Sequence, residues 1–249
     1  MTRWPKQLPA LTPEQANARE DFVKHWHEIL PNYYGIVEGF NHRYPLKDWA
    51  ASTSKRQRIL EIGAGLGEHI RYENLSHVDY HALELREEMA VCIRERFPQV
   101  KTVVGDIQEK LDFPAHYFDR IVAIHVLEHL PNLPAAVKEI YRVLSPSGRL
   151  DVVIPCEGGL AYTLARRISA QRIFEKRYQM SYDWFVRSEH VNLPDEILGE
   201  LEHCFHRDRS QYFPLRIPSI TMNLVIGLRL SPKREGEVRD DQKGRNRQE

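Results

Sequence analysis

Three closely spaced glycines stand where an apolar run ends and a new segment begins. Residues 59–62 form a short apolar run typical of a buried strand, and Gly63-Ala64-Gly65-Leu66-Gly67 follows it directly. Glycines at such a turn permit positive φ angles and let a ligand approach the backbone closely. The spacing is G-x-G-x-G, and Glu68 replaces the last glycine of the dinucleotide fingerprint G-x-G-x-x-G. Because the carboxylate of Glu68 would repel a pyrophosphate, the loop argues against a dinucleotide.

Two more carboxylates follow the next predicted strands. Glu84 closes a strand over residues 78–85 and lies 19 positions after Gly65. This is close to the spacing of about 20 residues at which an acidic residue reaches the hydroxyl pair of a ribose. Asp106 and Ile107 follow the third predicted strand and offer a carboxylate to an amino group and an apolar side chain to a flat ring. The carboxyl ends of parallel strands meet at one crevice, where we expect these groups to act together.

Histidines supply the candidates for acid–base chemistry. His125, Glu128 and His129 form the pattern H-x-x-E-H, which in inverted zinc proteases needs a helix to bring both histidines to one face. Here His125 ends a predicted strand, so we do not expect that arrangement. His190 precedes a predicted helix and could take a proton from a hydroxyl, because histidine titrates near neutral pH. Packing or capping at the start of that helix is the alternative role for His190, and His129 is the second candidate base.

The elements that must position these residues alternate between strands and helices. Seven strands are predicted, at residues 58–62, 78–85, 101–104, 118–126, 149–154, 205–213 and 221–230. Helical patterns follow the first, second and fourth strands, and the first of these helices is expected directly after the glycine loop. Such alternation indicates parallel β-α-β units and a doubly wound α/β sheet. Two N-terminal helices, at residues 13–30 and 33–41, are predicted on either side of Pro31.

The chain divides into three parts by composition. Residues 1–50 are expected to form an N-terminal arm and cap helices, and residues 51–230 the ligand-binding domain. Within that domain, residues 158–190 form an insertion rich in arginine and aromatic residues, which we expect to act as a cap. Residues 231–249 have almost no apolar residues and alternating charges, which predicts a disordered tail.

Taken in order, these motifs resemble the class I S-adenosylmethionine-dependent methyltransferases, in particular the group that acts on small molecules. The resemblance covers about residues 55–230. It rests on residues 59–67, Glu84, Gly105-Asp106-Ile107, 118–122, 126–130, 139–144, 148–150, 189–192 and Cys204-Phe205, where the family usually has Gly-Phe. It implies a seven-stranded, mostly parallel Rossmann-like sheet whose last strand is antiparallel and lies between the fifth and sixth. The N-terminal and insertion layout also resembles methyltransferases of surface polysaccharides.

The resemblance implies S-adenosylmethionine as the cofactor. The cofactor-binding residues it implies are Glu61, Gly63, Ala64, Gly65, Gly67, Glu84, Leu85, Asp106, Ile107 and His125. Glu61 and the glycine loop would hold the methionine part, which the strand ending at His125 also passes. Glu84 would bind the ribose hydroxyls, and Asp106 and Ile107 would meet the adenine. Some related methyltransferases bind a metal near residues 125–129, but metal-free members carry the same Glu-His pair, so we expect no metal.

The residues that bind the methyl acceptor must lie outside the half of the domain that binds the cofactor. We expect Tyr33 and Tyr34 of the N-terminal helices and Arg166 and Arg177 of the insertion to contact the acceptor. The basic cluster of the insertion could receive phosphate groups of a nucleotide-linked or lipid-linked sugar, and a solvated helix face is the alternative. Its members are Arg166, Arg167, Arg172, Lys176 and Arg177. The predicted reaction methylates a hydroxyl, or less favourably an amine, of a small polar acceptor such as a sugar. His190 or His129 would be the base, although positioning supplies much of the rate of such a displacement.

Composition narrows the partners and the compartment. The chain has 249 residues with 35 Lys+Arg and 35 Asp+Glu, and this zero net charge removes the main reason to expect a nucleic-acid partner. Cys92, Cys156 and Cys204 lie far apart, which argues against a paired zinc motif or a disulfide framework. No run approaches ~18 apolar residues and no signal peptide is recognisable, so a cytoplasmic protein without a transmembrane segment is expected. The pattern does not indicate an oligomeric state.

Two other functions stay open at this point. A nicotinamide-dependent oxidoreductase could use a similar sheet, although the glycine spacing and the lack of a hydride-transfer triad disfavour it. A non-catalytic, cofactor-binding partner subunit on the same fold is the second alternative, because the sequence contains no certain base.

Overall fold

The computed structural model describes residues 4–49 and 55–238, and within the first helix only the backbone of residues 26–34. The strands in this part of the chain are β1 (Gln57–Ile62), β2 (Val78–Glu84), β3 (Lys101–Val104), β4 (Phe118–Ile124), β5 (Leu144–Pro155), β6 (Phe205–Phe213) and β7 (Val225–Pro232). The helices are α1 (Pro13–Arg43), α2 (Glu87–Arg96), α3 (Leu133–Val143), α4 (Leu160–Ile168), α5 (Ala170–Tyr178), α6 (Asp183–Glu189) and α7 (Pro194–Cys204). Short 3-10 turns span His69–Tyr72, Leu75–His77 and Leu127–His129.

All seven strands form one sheet in the order β3-β2-β1-β4-β5-β7-β6. Strands β1 to β5 run parallel, and β7 runs antiparallel between β5 and β6. This confirms the predicted doubly wound sheet and its inverted last strand. The strand order reverses between β1 and β4, which in open α/β sheets is where a ligand crevice forms beyond the carboxyl ends.

The central strands are covered on both faces. Ile59 and Leu60 of β1 point to opposite sides, and both are fully buried. Strands buried on both faces are typical of parallel sheets with helices on either side. Helix α3 packs one apolar face on the sheet, formed by Leu133, Ala136, Val137, Ile140 and Val143. No helix among the described residues is long and apolar enough to cross a bilayer.

A fully buried arginine ties the N-terminal segment to the middle of the sheet. Arg120 of β4 donates from Nε to Asp151 Oδ2 at 3.1 Å and from Nη1 to Glu73 Oε1 at 2.7 Å. It also donates from Nη2 to the Pro45 carbonyl at 2.8 Å. Because these charges are withdrawn from water, loss of one partner would leave a buried charge uncompensated.

The helix expected directly after the glycine loop does not form, and residues 68–77 instead contain two 3-10 turns. That prediction was wrong because buried polar contacts determine the local backbone. Glu73 accepts from His69 Nε2 at 3.0 Å as well as from Arg120, and both side chains of the His69–Glu73 pair are almost fully buried. Tertiary pairing thus overrides the local helical preference.

The two predicted N-terminal helices are one continuous helix, α1, which passes through Pro31. A proline inside a helix removes one hydrogen bond and costs about 3 kcal/mol. Tertiary contacts at both ends oppose that cost. Phe22 is buried among aromatic rings of the insertion, and Tyr44, which follows the helix, is fully buried with its ring against Gly227 of β7. The predicted break at Pro31 was therefore wrong.

The fold extends beyond the predicted start of the tail at residue 231. Strand β7 continues to Pro232, and the Lys233 carbonyl accepts from the Tyr141 hydroxyl at 2.8 Å. Val238 is 9 % exposed and packs in the main core, which explains why this stretch is ordered. The rest of the predicted tail, residues 239–249, lies outside the described residues.

Candidate active site

The glycine loop closes over the carboxylate of Glu84. Gly63, Gly65 and Gly67 have φ angles of 65°, 56° and 78°, which other residues rarely adopt. The Gly65 N–H donates to Glu84 Oε2 at 2.8 Å, and the Arg86 N–H donates to Oε1 at 3.1 Å. Since a carboxylate has about four acceptor sites, both oxygens can also accept from a ligand. The space in front of Gly65 is open, because an added Cβ would meet nothing within 4 Å.

Glu61 lies beneath this loop near the end of β1 and is 4 % exposed. Its Oε2 accepts from the Tyr80 hydroxyl at 2.9 Å. Burial raises the pKa of Glu61 to about 8, although the hydrogen bond from Tyr80 favours the ionised form. The carboxyl group is therefore mostly protonated at neutral pH, and a cationic ligand group beside it would favour ionisation.

The segment after β3 continues the same edge of the sheet. Asp106 Oδ1 accepts from the backbone N–H of Gln108 at 2.8 Å, which folds this segment into a tight turn. Ile107 is 3 % exposed and packs in the main core, so most of its surface supports the turn. Leu85, at the end of β2, is 63 % exposed and offers the larger apolar surface to a ring.

His125 follows β4 in a strained conformation, with a φ of 53°. Its N–H donates to the Val153 carbonyl of β5 at 2.9 Å, and its Nδ1 lies 3.1 Å from Glu128 Oε1. Burial opposes charge on this ring, but the hydrogen bond to Glu128 and the negative charge of Glu128 outweigh it and raise the pKa of His125. Because His125 ends a strand and His129 lies on a 3-10 turn, the two do not form the helical protease pattern.

His129 and His190 lie against each other, with ring centroids 5.1 Å apart. Nδ1 of His129 is 2.7 Å from the Glu189 carbonyl oxygen, and Nδ1 of His190 is 2.8 Å from Glu157 Oε2. A carbonyl and an ionised carboxylate only accept hydrogen bonds, so each Nδ1 carries a proton. In each neutral ring Nε2 then keeps a lone pair for a proton or a cation.

Glu157 is a functional candidate that the sequence reasoning missed. It is 7 % exposed, and its carboxylate accepts from His190 and from Arg166 Nη1. Burial opposes ionisation, but these two partners outweigh it and lower the pKa of Glu157. Burial also lowers the pKa of His129, so that ring stays neutral near pH 7. Its position in the sequence could have indicated Glu157 as a site residue, because Glu157 follows β5 much as Asp106 follows β3.

Three of these side chains could hold a cation. Glu128, His129 and His190 offer ligand atoms that all lie within 4.8 Å of one another. Among the described residues, Oε2 of Glu128 is buried without a hydrogen-bond partner. Two imidazoles and a carboxylate suit a divalent transition metal. The expectation that no metal is bound therefore stays a prediction.

The structure separates the residues expected to contact the acceptor. Arg166 reaches the site through Glu157, whereas Arg177 pairs with Asp21 of α1 at 3.0 Å on the outer surface. The cap helices α5 and α6 pack on α1 through Phe22, whose ring centroid lies 5.0 Å from that of Phe174. The side chains of residues 33 and 34, Tyr33 and Tyr34, lie outside the described residues.

Comparison with known proteins finds a matching family model for part of the chain. Residues 60–152 match a family model described as a methyltransferase domain. A sterol 24-C-methyltransferase of Saccharomyces cerevisiae is 24 % identical over 167 residues, which are 55 % of this chain and 43 % of that protein. The chloroplastic 2-methyl-6-phytyl-1,4-hydroquinone methyltransferase 2 of Oryza sativa is 26 % identical over 144 residues, which are 54 % of this chain and 39 % of that protein. The chain spans less than half the length of these two relatives.

Solved structures share the fold. A possible histamine N-methyltransferase from Thermotoga maritima matches with a TM-score of 0.61 and 17 % identity, covering 87 % of this chain and 99 % of that chain. The 1,6-didemethyltoxoflavin-N1-methyltransferase of Burkholderia thailandensis, solved with bound S-adenosylhomocysteine, matches with a TM-score of 0.56 and 19 % identity over 92 % of this chain and 94 % of that chain. The fold and site thus define a Rossmann-like methyltransferase domain. The match to a methyltransferase domain covers residues 60–152, and together with the fold it supports S-adenosylmethionine as the cofactor.

The residues present fit this cofactor. The cradle over Gly65 is open, and Glu84 keeps acceptor capacity for a pair of ribose hydroxyls. Glu61 can ionise beside an ammonium group. The family match confirms the predicted superfamily, and neither the oxidoreductase nor the non-catalytic subunit is favoured. The finer resemblance to surface-polysaccharide methyltransferases stays a prediction.

Proposed function

We propose that this protein transfers the methyl group of S-adenosylmethionine to a hydroxyl oxygen of a small polar acceptor, with His190 as the general base. The observation that carries the proposal is the contact of 2.8 Å between His190 Nδ1 and Glu157 Oε2, beside His129. An amine is the less favoured acceptor. A neutral amine attacks without first losing a proton, so it would not need the base that His190 supplies.

His190 would remove the hydroxyl proton as the oxygen attacks. Glu157 holds Nδ1–H and so directs the lone pair of Nε2 toward the acceptor. The ionised carboxylate then stabilises the imidazolium, as in other histidine–carboxylate pairs. Arg166 binds the other oxygen of Glu157 and keeps the carboxylate from turning away. General-base assistance of this kind contributes about 10²–10⁴-fold.

His129 would act as the second group of the pair. Its depressed pKa keeps the ring neutral, and its Nδ1 is held by a backbone carbonyl. Nε2 can therefore accept a hydrogen bond from the acceptor and orient it. Arg166, Tyr33 and Tyr34 remain proposed acceptor contacts, whereas the pairing of Arg177 with Asp21 argues against that role for Arg177.

The cofactor contacts would come from the opposite half of the crevice. When bound, S-adenosylmethionine supplies an electrophilic methyl group on a sulfonium centre. Glu84 would accept from the ribose hydroxyls, and Glu61 would pair with the ammonium group beneath the glycine loop. The adenine side would be lined by Leu85, Asp106 and Ile107, and the methionine side by His125 and Gly63, Ala64, Gly65 and Gly67.

The relatives favour a second class of acceptor. They are named for a sterol carbon and for a phytyl hydroquinone, which are both largely apolar molecules. A lipid-like acceptor, methylated on carbon or on oxygen, is therefore the second candidate.

A product assay tests both candidates. The protein is incubated with S-adenosylmethionine carrying a deuterated methyl group and with a panel of sugar nucleotides, phenols and isoprenoid hydroquinones. Mass spectrometry and NMR of the product identify the methylated atom. We expect His190→Ala to lower kcat by about 10²-fold with little change in cofactor affinity, and His77→Ala, on an exposed turn, to behave as wild type. Full turnover of His190→Ala would contradict the assignment of the base.

A further inference from the structure

Helix α4 presents an apolar stripe on the outside of the cap. Leu160, Leu164 and Ile168 are 73 %, 62 % and 70 % exposed. They recur every four residues and therefore share one face of the helix. Arg167, also exposed, lies on the same side. We call these four residues the α4 face. An exposed apolar patch of this kind usually marks an interaction site.

The loop between β6 and β7 extends this surface. The N–H of Ala161 donates to the Thr221 carbonyl at 3.0 Å, and Gly159 packs so closely on Ile220 that an added Cβ would clash with its carbonyl oxygen. The loop therefore adjoins the first turn of α4. It exposes three further large apolar side chains, Leu215, Ile217 and Met222.

Exposed cations occur on α4, in this loop and on α5, the helix that follows α4. In the described part of the chain, four exposed basic side chains on α4, on α5 and in the loop form no ion pair: Arg167, Arg172, Lys176 and Arg216. The other two arginines of the basic cluster are paired, Arg166 with Glu157 and Arg177 with Asp21. The structure thus divides the cluster into Arg166, which reaches the site, Arg177, which pairs with α1, and three exposed cations without an ion pair.

We propose that the α4 face and the adjoining loop dock this protein on an anionic lipid surface. A helix with an apolar stripe and flanking Lys and Arg lies in the membrane interface, with the stripe among the acyl chains. The cations then meet the phosphates of the lipid headgroups, since their aliphatic stems can lie along apolar surface. A second copy on the same face is the less suitable occupant, because it would bring these unpaired cations together.

The inner side of α4 connects this surface to the site. Arg166 points inward to Glu157, which holds His190, while Leu164 and Arg167 face solvent. Docking would therefore bring the headgroup region close to the proposed base. This step rests on the proposed function and deepens it, because it makes the acceptor an amphiphile presented at a membrane.

Vesicle sedimentation tests the docking surface without any acceptor. The full chain is mixed with vesicles of phosphatidylcholine alone or of phosphatidylcholine with phosphatidylglycerol. We expect binding to the anionic vesicles that weakens as salt is raised. Leu164→Ser/Ile168→Ser should weaken it by about tenfold or more, and Arg167→Gln/Lys176→Gln should reduce its salt dependence. Val91→Ser on α2 and Lys138→Gln on α3 are the matched controls.

Three results would overturn the docking surface. These are no binding to either vesicle, equal binding by Leu164→Ser/Ile168→Ser, and a wild-type dimer that this double variant converts to monomer. The substituted side chains are exposed, and unchanged unfolding midpoints would show that the variants fold. Affinity for S-adenosylhomocysteine and turnover of a water-soluble acceptor report on the site separately. Loss of vesicle binding with cofactor affinity and turnover intact would contradict the docking surface and leave the proposed function standing. Loss of turnover with vesicle binding intact would contradict the proposed function and leave the docking surface standing.

Discussion

His190 Nδ1 lies 2.8 Å from Glu157 Oε2, and this contact joins the cap to the sheet. Glu157 follows β5 at the carboxyl edge, whereas His190 follows the last helix of the cap, α6. The pair therefore fixes a proton-accepting nitrogen relative to the glycine loop. Two parts of the chain that lie 33 residues apart build one site.

Glu157→Gln should lower kcat by about 10²-fold, because an amide can hold Nδ1–H but cannot stabilise the imidazolium. Affinity for S-adenosylhomocysteine should stay within about twofold of wild type, because Glu157 belongs to the proposed acceptor side and not to the proposed cofactor contacts. Steady-state kinetics and isothermal titration measure the two effects. Glu175→Gln on α5 is the control, and a variant with wild-type kcat would show that Glu157 does not act through His190.

Glu84→Ala should weaken binding of S-adenosylhomocysteine by about 1.5–3 kcal/mol, through loss of charged hydrogen bonds to the ribose hydroxyls. In the wild type, ligand at about 100 times its Kd should stabilise the fold by roughly 2.7 kcal/mol. Isothermal titration and thermal unfolding provide both numbers, with Glu88→Ala on the exposed side of α2 as the control. Unchanged affinity would remove the ribose assignment, and tighter binding of NAD than of S-adenosylhomocysteine would contradict the cofactor fit.

Glu61 should make the stability of the free protein fall as pH rises. Its pKa is about 8 in the fold against an ordinary value of 4.5, so the folded state holds the extra proton between these values. The contribution of the Glu61 proton to the free energy of unfolding is fully present below pH 4.5 and is lost as pH rises through about 8. Glu61→Gln lacks this titration, so its stability relative to wild type should improve from pH 5 to pH 9. Urea unfolding across this range tests it, with Glu68→Gln as the control, and parallel curves for wild type and Glu61→Gln would contradict it.

Chelation should leave turnover unchanged if Glu128, His129 and His190 act without a metal. EDTA treatment followed by activity and elemental analysis measures this. A stoichiometric metal that is lost together with activity, and that Glu128→Gln fails to retain, would show that the cluster is a metal site instead.

The local geometry of the proposed cofactor side could be predicted from the sequence because local patterns encode it. A strand followed by G-x-G-x-G specifies a turn with positive φ angles, which Gly63, Gly65 and Gly67 adopt. Glu84 stands at a strand end, and parallel strands bring their carboxyl ends to one edge. The contact between the Gly65 N–H and Glu84 follows from these two facts.

Local patterns misled where distant packing determined the backbone. Pro31 predicts a helix break, but contacts of Phe22 with the cap and of Tyr44 with β7 keep α1 continuous. The segment after the glycine loop forms tight turns because Glu73 pairs with the buried Arg120, which lies on a strand 47 residues away.

The sheet, the glycine loop and the acidic residues proposed to bind the cofactor could be predicted from the sequence alone, because each depends on periodicity or on spacing within one β-α unit. The arrangement of the proposed acceptor side became visible only in the folded chain. Glu157 contacts His190, and Arg166 points inward to Glu157. Arg177 pairs with Asp21 instead, and the apolar residues of the α4 face are exposed to solvent. These outcomes depend on how the cap docks on α1 and on the end of β5, and no local pattern encodes contacts between segments that meet only after the chain has packed.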